Sequence, residues 1–179
     1  MHPYDFWVKC SPGGEANWRF ENSLYRMLPL TGTITDDLMH IPDMWDSEGE
    51  PCLLVIKTGS ATGTTIGRAN GVFSIVRDYY FNDMSVNQTS MEWAILNYGI
   101  KEVFSEPGDS GSIIADIHGR IGGMLTGSSG DGEYSDITYA TPFWWLLERI
   151  RANGFPNAHL NVVDLDIGNN INSLYHGYF

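Results

Sequence analysis

From position 52 onward, apolar residues come in short runs of branched and aromatic types, interrupted by glycine and small polar residues. The runs at 52–56, 64–66, 72–76, 93–98, 112–115, 121–125 and 137–141 have the length and β-branched content of strands, and their spacing predicts an all-β barrel or sandwich. One stretch follows another period. Phe143, Leu146, Leu147 and Ile150 recur at i, i+3, i+4 and i+7 behind Pro142, and Arg149, Arg151 and Ala152 lead to Gly154. That pattern predicts one amphipathic helix over 142–154 with a defined stop. Segment 43–50, with four acidic residues and a glycine, and segment 80–89 have the composition of solvated loops. Beyond Gly154 the chain turns polar, with Asn169, Asn170 and Asn172, and predicts an irregular tail over 155–179.

Composition narrows the function classes. A chain of 179 residues with 42% hydrophobic and 13% aromatic content holds one sizeable core or two small barrels and is too apolar to be disordered. The sequence has no apolar run of about 18 residues, the length a membrane helix needs. The first residues, Met1-His2-Pro3-Tyr4-Asp5, lack the basic and apolar regions of a signal peptide. With Cys10 and Cys52 able to form one bridge at most, the expected setting is reducing and cytoplasmic. Asn87-Gln88-Thr89 matches a glycosylation acceptor, which matters only on a secretory route. Ten Lys and Arg against 22 Asp and Glu give a formal charge of -12, which argues against nucleic acid or an anionic membrane as partner and favours the approach of basic peptides. Residues 62–67 contain glycines but neither the lysine nor the spacing of a phosphate loop, and no metal-ligand cluster or dinucleotide fingerprint occurs. No cofactor and no metal is expected.

The strongest chemical signal is Glu106-Pro107-Gly108-Asp109-Ser110-Gly111-Ser112, set between Val103-Phe104 and Ile113-Ile114, so that a turn of small residues joins two strands. Glycine on both sides permits unusual backbone angles and leaves room for a substrate carbonyl at the Ser110 hydroxyl. The N–H groups of Gly108 and Ser110 can converge on a developing oxyanion, worth about 3 to 4 kcal/mol per donor in known enzymes. Asp109 is expected to point inward and hold the turn. A plain hairpin turn would use the same residue types.

Further motifs follow in order: Gly122-Gly123-Met124-Leu125-Thr126-Gly127, then Tyr139-Ala140-Thr141-Pro142 leading into the helix. Together with Gly108-Asp109-Ser110-Gly111-Ser112 they resemble the C-terminal barrel of trypsin-like (chymotrypsin-fold) serine peptidases. Upstream, Lys57-Thr58-Gly59 and Thr62-Gly63-Thr64-Thr65-Ile66-Gly67 resemble the opening strands of that barrel in fungal members. Ser112 stands where many relatives have glycine. The resemblance implies a trypsin-like antiparallel β-barrel over 30–154 with its terminal helix, and a remnant of an N-terminal barrel over 1–29. It also implies Ser110 as acyl-forming nucleophile, the loop of Gly108, Asp109 and Ser110 as oxyanion hole, and Thr126, Gly127 and Ser128 as the strand that pairs with a peptide or protein substrate. Phe104, six residues before the serine, corresponds to the base of the primary specificity pocket, where an apolar residue disfavours Lys and Arg.

A nucleophilic serine needs a base, and the family order is His, then Asp, then Ser. Asp5 opens an acid-then-apolar run, Asp5-Phe6-Trp7-Val8, at 105 positions before Ser110. The family template has about 93 there and places its histidine about 45 positions earlier still, upstream of Met1. His40 is the one histidine between Asp5 and Ser110, and a triad through it would break the family order; His2, His118, His159 and His176 read as surface residues. Asp36, Asp37 and Glu92 are expected to face solvent or cap turns. The sequence thus predicts a serine endopeptidase homologue that is weakly active or inactive as it stands. The alternatives are a non-catalytic peptide-binding module on the same scaffold and a purely structural β-domain.

Overall fold

Alternation along the strands decides which side chains meet inside. The computed structural model describes residues 8–9, 28–79, 87–99, 102–129 and 137–161. Its strands are β1 (Gly32–Thr33), β2 (Leu53–Gly59), β3 (Gly63–Ala69), β4 (Phe73–Tyr79), β5 (Asn87–Asn97), β6 (Ile113–Asp116), β7 (Arg120–Ser129) and β8 (Ile137–Pro142). Helix α1 is Asp36–His40 and helix α2 is Phe143–Ala152. Strands β6, β2, β3, β5, β8 and β7 pair in that order, all antiparallel, and β7 returns to β6, so the sheet closes into a six-stranded barrel. β4 lies outside the ring against β5, and β1 adds two residues parallel to β7. Of the barrel or sandwich that the strand pattern allowed, the all-β antiparallel barrel with one C-terminal helix that the resemblance implied is the one observed, and every predicted run is found within or overlapping a strand.

Inside the barrel, Leu53 and Val55 of β2, Ile66 of β3, Trp93 and Ile95 of β5, Ile114 of β6, Leu125 of β7 and Ala140 of β8 form one buried cluster with Phe104. Ala140 pairs with both Trp93 and Leu125, so a small side chain separates two large ones, the interdigitation that close packing requires. Gly122 completes the fit, since a Cβ there would lie 2.5 Å from Cζ3 of Trp93. Cys52, also in the cluster, is a free thiol; burial, helped by the charge of Asp46, raises its pKa to about 11. Cys10 lies outside the described residues.

Several local expectations need correction. α1 and β1 were not predicted, because elements of five and two residues are too short to show a period. α1 is instead set by its cap: Thr35 Oγ1 accepts from the Leu38 N–H at 3.3 Å, with Asp36 and Asp37 in the first turn. Residues 87–89, expected in a loop, begin β5 and pair with β4; the rest of that loop, 80–86, lies outside the described residues. Loop 43–50 is not simply solvated, for Asp46 is buried and accepts from the N–H groups of Glu48 and Glu50 and from Arg68. The helix is present, with Pro142 as its N-cap and Gly154 at φ 103° just beyond its end. It rides on β7 and β8 without a fully buried residue, and Trp144, off the expected apolar stripe, is the side chain that packs on the core. The expected N-terminal remnant, 1–29, lies almost wholly outside the described residues, as does the tail from 162. Of the remnant, Lys9 forms an ion pair with Glu102.

Candidate functional site

The segment that enters the Ser110 loop is tied to three strands before it turns. Phe104 donates its N–H to Asn97 Oδ1 of β5 at 2.9 Å, and its carbonyl accepts from Thr65 Oγ1 of β3 at 2.7 Å. Ser105 Oγ lies 2.6 Å from Thr138 Oγ1 of β8, both buried. On the exit side, Gly111 donates to Leu125 O at 2.8 Å and Leu125 N–H donates to Ser112 O at 2.9 Å, which fastens the loop to β7. The loop is therefore held at both ends by the barrel wall.

Between those ties the backbone turns sharply. Gly108 and Gly111 adopt φ values of 109° and 87°, a region that side chains disfavour, so glycine on both sides of Asp109-Ser110 is a conformational requirement. Asp109 N–H donates to Glu106 O and Ser112 N–H donates to Asp109 O, each at 3.0 Å. Gly108 and Ser110 N–H groups have no acceptor among the described residues, and the Ser110 side chain is exposed. Two unspent backbone donors thus flank an exposed hydroxyl.

Asp109 does point inward, and its surroundings go beyond what the sequence indicated. Its carboxylate is fully buried and accepts from Ala61 N–H at 2.8 Å, Thr62 N–H at 3.2 Å, Thr62 Oγ1 at 2.7 Å and Glu106 N–H at 3.1 Å. The fifth donor is the ammonium of Lys57, 2.8 Å away and itself fully buried. Burial pushes the Asp109 carboxyl up, but Lys57, Thr62 and the loop N–H groups outweigh it and hold the pKa well below the ordinary carboxylate range. Lys57 also contacts Thr62 Oγ1 and donates to Gly63 O at 3.3 Å, so its three protons are all engaged. Sequence reasoning passed over Lys57. Counting by two from Leu53 and Val55 puts it on the inner face of β2, and a lysine at an inward position was the available signal.

Thr126, Gly127 and Ser128 follow directly on Leu125. A register slip between Leu125 and Gly127 places Thr126 in a bulge, and from Gly127 to Ser129 the strand pairs with β8 alone among the described residues. Its other edge has no strand partner among the described residues, and Leu125, just before it, is bonded to Gly111 and Ser112 of the Ser110 loop. Thr126 Oγ1 donates to Tyr139 O at 3.2 Å and lies 3.5 Å from Glu92 Oε2, which also accepts from Thr141 Oγ1 at 2.9 Å. Glu92 is buried, not solvent-facing as its acidity suggested.

The structure does not bring every candidate together. Phe104 is fully buried in the core cluster, its ring centroid 5.9 Å from Lys57 Nζ, so its side chain is part of the barrel's packing. Asp5 lies outside the described residues, as do His2 and His176. His40 ends α1, stacks on Phe73 with centroids 4.9 Å apart and keeps Nδ1 2.9 Å from Asp36 O. Ser110 Oγ has no hydrogen-bond partner among the described residues, His40 included. A separate cavity of about 640 Å³ is lined by His40, Trp45, Asp46 and Arg68 among others, without Ser110.

Fold and loop define a class: a closed antiparallel barrel that presents a serine between two glycines of positive φ, next to an open strand edge. No protein-family model matches the sequence, and no curated protein matches it. Among solved structures, the chain is similar to a chymotrypsin of Cellulomonas bogoriensis at 23% identity and a TM-score of 0.40, covering 54% of this chain and 46% of that one. The chain thus spans less than half the length of that protein. The barrel architecture rests on the strand pairing described above and not on this likeness.

Proposed function

We propose that the chain is a trypsin-like serine endopeptidase homologue that acts, or descends from proteins that act, by acyl transfer through Ser110. The observation that carries this reading is the pair of N–H groups, Gly108 and Ser110, without an acceptor among the described residues, beside the exposed Ser110. Such donors stabilise the oxygen of a tetrahedral intermediate more than the ground-state carbonyl, which is the requirement for catalysis. Peptide substrate would add as a strand along Thr126, Gly127 and Ser128, with main-chain hydrogen bonds on the open edge of β7. Asp5 remains the candidate for the acid of the triad, and the base that would take the Ser110 proton belongs upstream of it in the family order. Without a base, attack is slow, because a serine hydroxyl is almost never ionised near neutral pH.

The test is labelling of the full chain with an organophosphonate followed by intact-mass analysis. Slow incorporation of one equivalent that disappears in Ser110→Ala supports the reading; equal labelling of the two proteins refutes it. A second reading, a non-catalytic peptide-binding module, draws on the same open edge together with the absence of a hydrogen-bonded base at Ser110 among the described residues. It expects retention of unstructured peptides by immobilised Ser110→Ala protein as well as by the native chain, and no retention across a diverse pool would remove it.

A further inference from the structure

Among the described residues, every buried carboxylate but one has a cation. Asp46 pairs with Arg68, Asp109 with Lys57 and Asp116 with Arg120, whereas buried Glu92 has no ion pair. Glu92 Oε2 accepts from Thr141 Oγ1 at 2.9 Å and lies 3.5 Å from Thr126 Oγ1. Its Oε1 has no partner among the described residues and is not sealed from solvent. Hydroxyl donors offset part of the cost of holding a carboxylate away from water, and a cation offsets more of it. We infer, on the reading of Thr126 to Ser128 as the strand a peptide joins, that Glu92 is a subsite for a lysine or arginine side chain of that peptide.

The strand order puts this carboxylate within reach of such a peptide. Trp93 and Ala140 fill the barrel, so their chain neighbours Glu92 and Thr141 point to its outer face. There the Glu92 side chain reaches from β5 across β8 to Thr126, in the bulge of β7. A peptide paired on the other edge of β7 would run about 4.8 Å beyond it, with alternate side chains on that same face. The long stem of a lysine or arginine spans such a gap and keeps its charged head free to meet a carboxylate. Gly127 stands at this edge without a side chain, and beyond its chain neighbours no atom lies within 4 Å of where a Cβ would be. The net charge of -12 attracts basic peptides at long range without choosing a position along them, and Glu92 supplies that choice.

The test uses the full chain with Ser110→Ala, which binds peptide without acyl transfer. The probes are blocked, unstructured peptides of alanine, serine and leucine in which one lysine is moved along the sequence, each matched to its Nε-acetyl-lysine counterpart. Affinity is read by calorimetry. At one position lysine is expected to bind about tenfold tighter than acetyl-lysine, and adding Glu92→Gln, which keeps an acceptor for Thr126 and Thr141, should reduce that ratio to about twofold or less. Glu48→Gln removes an exposed carboxylate elsewhere and should keep the ratio, which separates a local contact from the overall charge. Equal binding of lysine and acetyl-lysine at every position, a ratio kept in folded Glu92→Gln, or no binding of any peptide overturns the inference. The ¹³C signal of the Glu92 carboxyl needs no substitution at that residue. It should move on saturation with the preferred lysine peptide and stay in place with the acetylated one, and an unmoved signal overturns the inference as well. If phosphonate labelling proves independent of Ser110, the acyl-transfer reading fails, and these affinities still decide the role of Glu92.

Discussion

Asp46 and Asp116 each accept from the N–H groups two and four residues further along the chain, Glu48 and Glu50 for one, His118 and Arg120 for the other, and each is joined by an arginine. Asp109 uses the same buried carboxylate differently, drawing its cation from strand β2 and most of its other donors from the β2–β3 turn, 47 to 52 residues earlier in the chain. The first pair stabilise turns that would form in any fold that allowed them. Asp109 can be satisfied only once β2, β3 and the 106–112 loop have come together, so its hydrogen bonds report tertiary structure and its loss is felt at a distance.

That contrast is open to measurement. Breaking the Lys57–Asp109 pair on one side, by Asp109→Asn or Lys57→Met, is expected to cost about 3 to 5 kcal/mol in urea unfolding, since an uncompensated buried group remains. A loss under about 1 kcal/mol would put Asp109 in the class of the local turns. Acid should weaken the native chain through the same group. The folded carboxyl has its pKa well below the ordinary 3.8 of an aspartate, so the unfolded chain binds the proton more readily. The contribution is complete above that value and is lost as pH falls below it toward the folded pKa; unfolding curves at pH 7, 5 and 3 should therefore converge for native and Asp109→Asn protein at the acid end. Gly59→Ala tests the shape of the receiving turn and should cost about 1 to 3 kcal/mol by overpacking against the carboxylate. Asp46→Asn, which weakens a local turn, should cost about 1 to 2 kcal/mol and leave Ser110 labelling unchanged. Smallest of all, Asp43→Asn removes the half-exposed partner of Arg120 and should change stability by about 0 to 1 kcal/mol, an effect that added salt suppresses.

The strands were legible as short runs of branched and aromatic residues bounded by glycine and polar residues, such as Leu53-Leu54-Val55 or Trp93-Ala94-Ile95, in which every residue is buried. The Ser110 loop was legible because its glycines and small residues serve a local backbone need, visible as positive φ at Gly108 and Gly111. What escaped was whatever depends on contact between distant segments. Lys57 was read only within a resemblance to an opening strand and Glu92 as an acid facing solvent or capping a turn, and each has its place fixed by neighbours brought in by the barrel. Barrel closure was reached through the resemblance and not through any one run, since the pairing of β7 with both β6 and β8 is specified by no single segment.

Cys52 supplies the molecule with a clock for its own opening. The residue is buried at the lining of the cavity beside His40 and Arg68, and burial holds the thiol near 11, so at neutral pH the folded state offers an alkylating agent almost no thiolate. Modification of Cys52 is therefore slow in the folded state, and its rate rises with any local opening that returns the thiol to water.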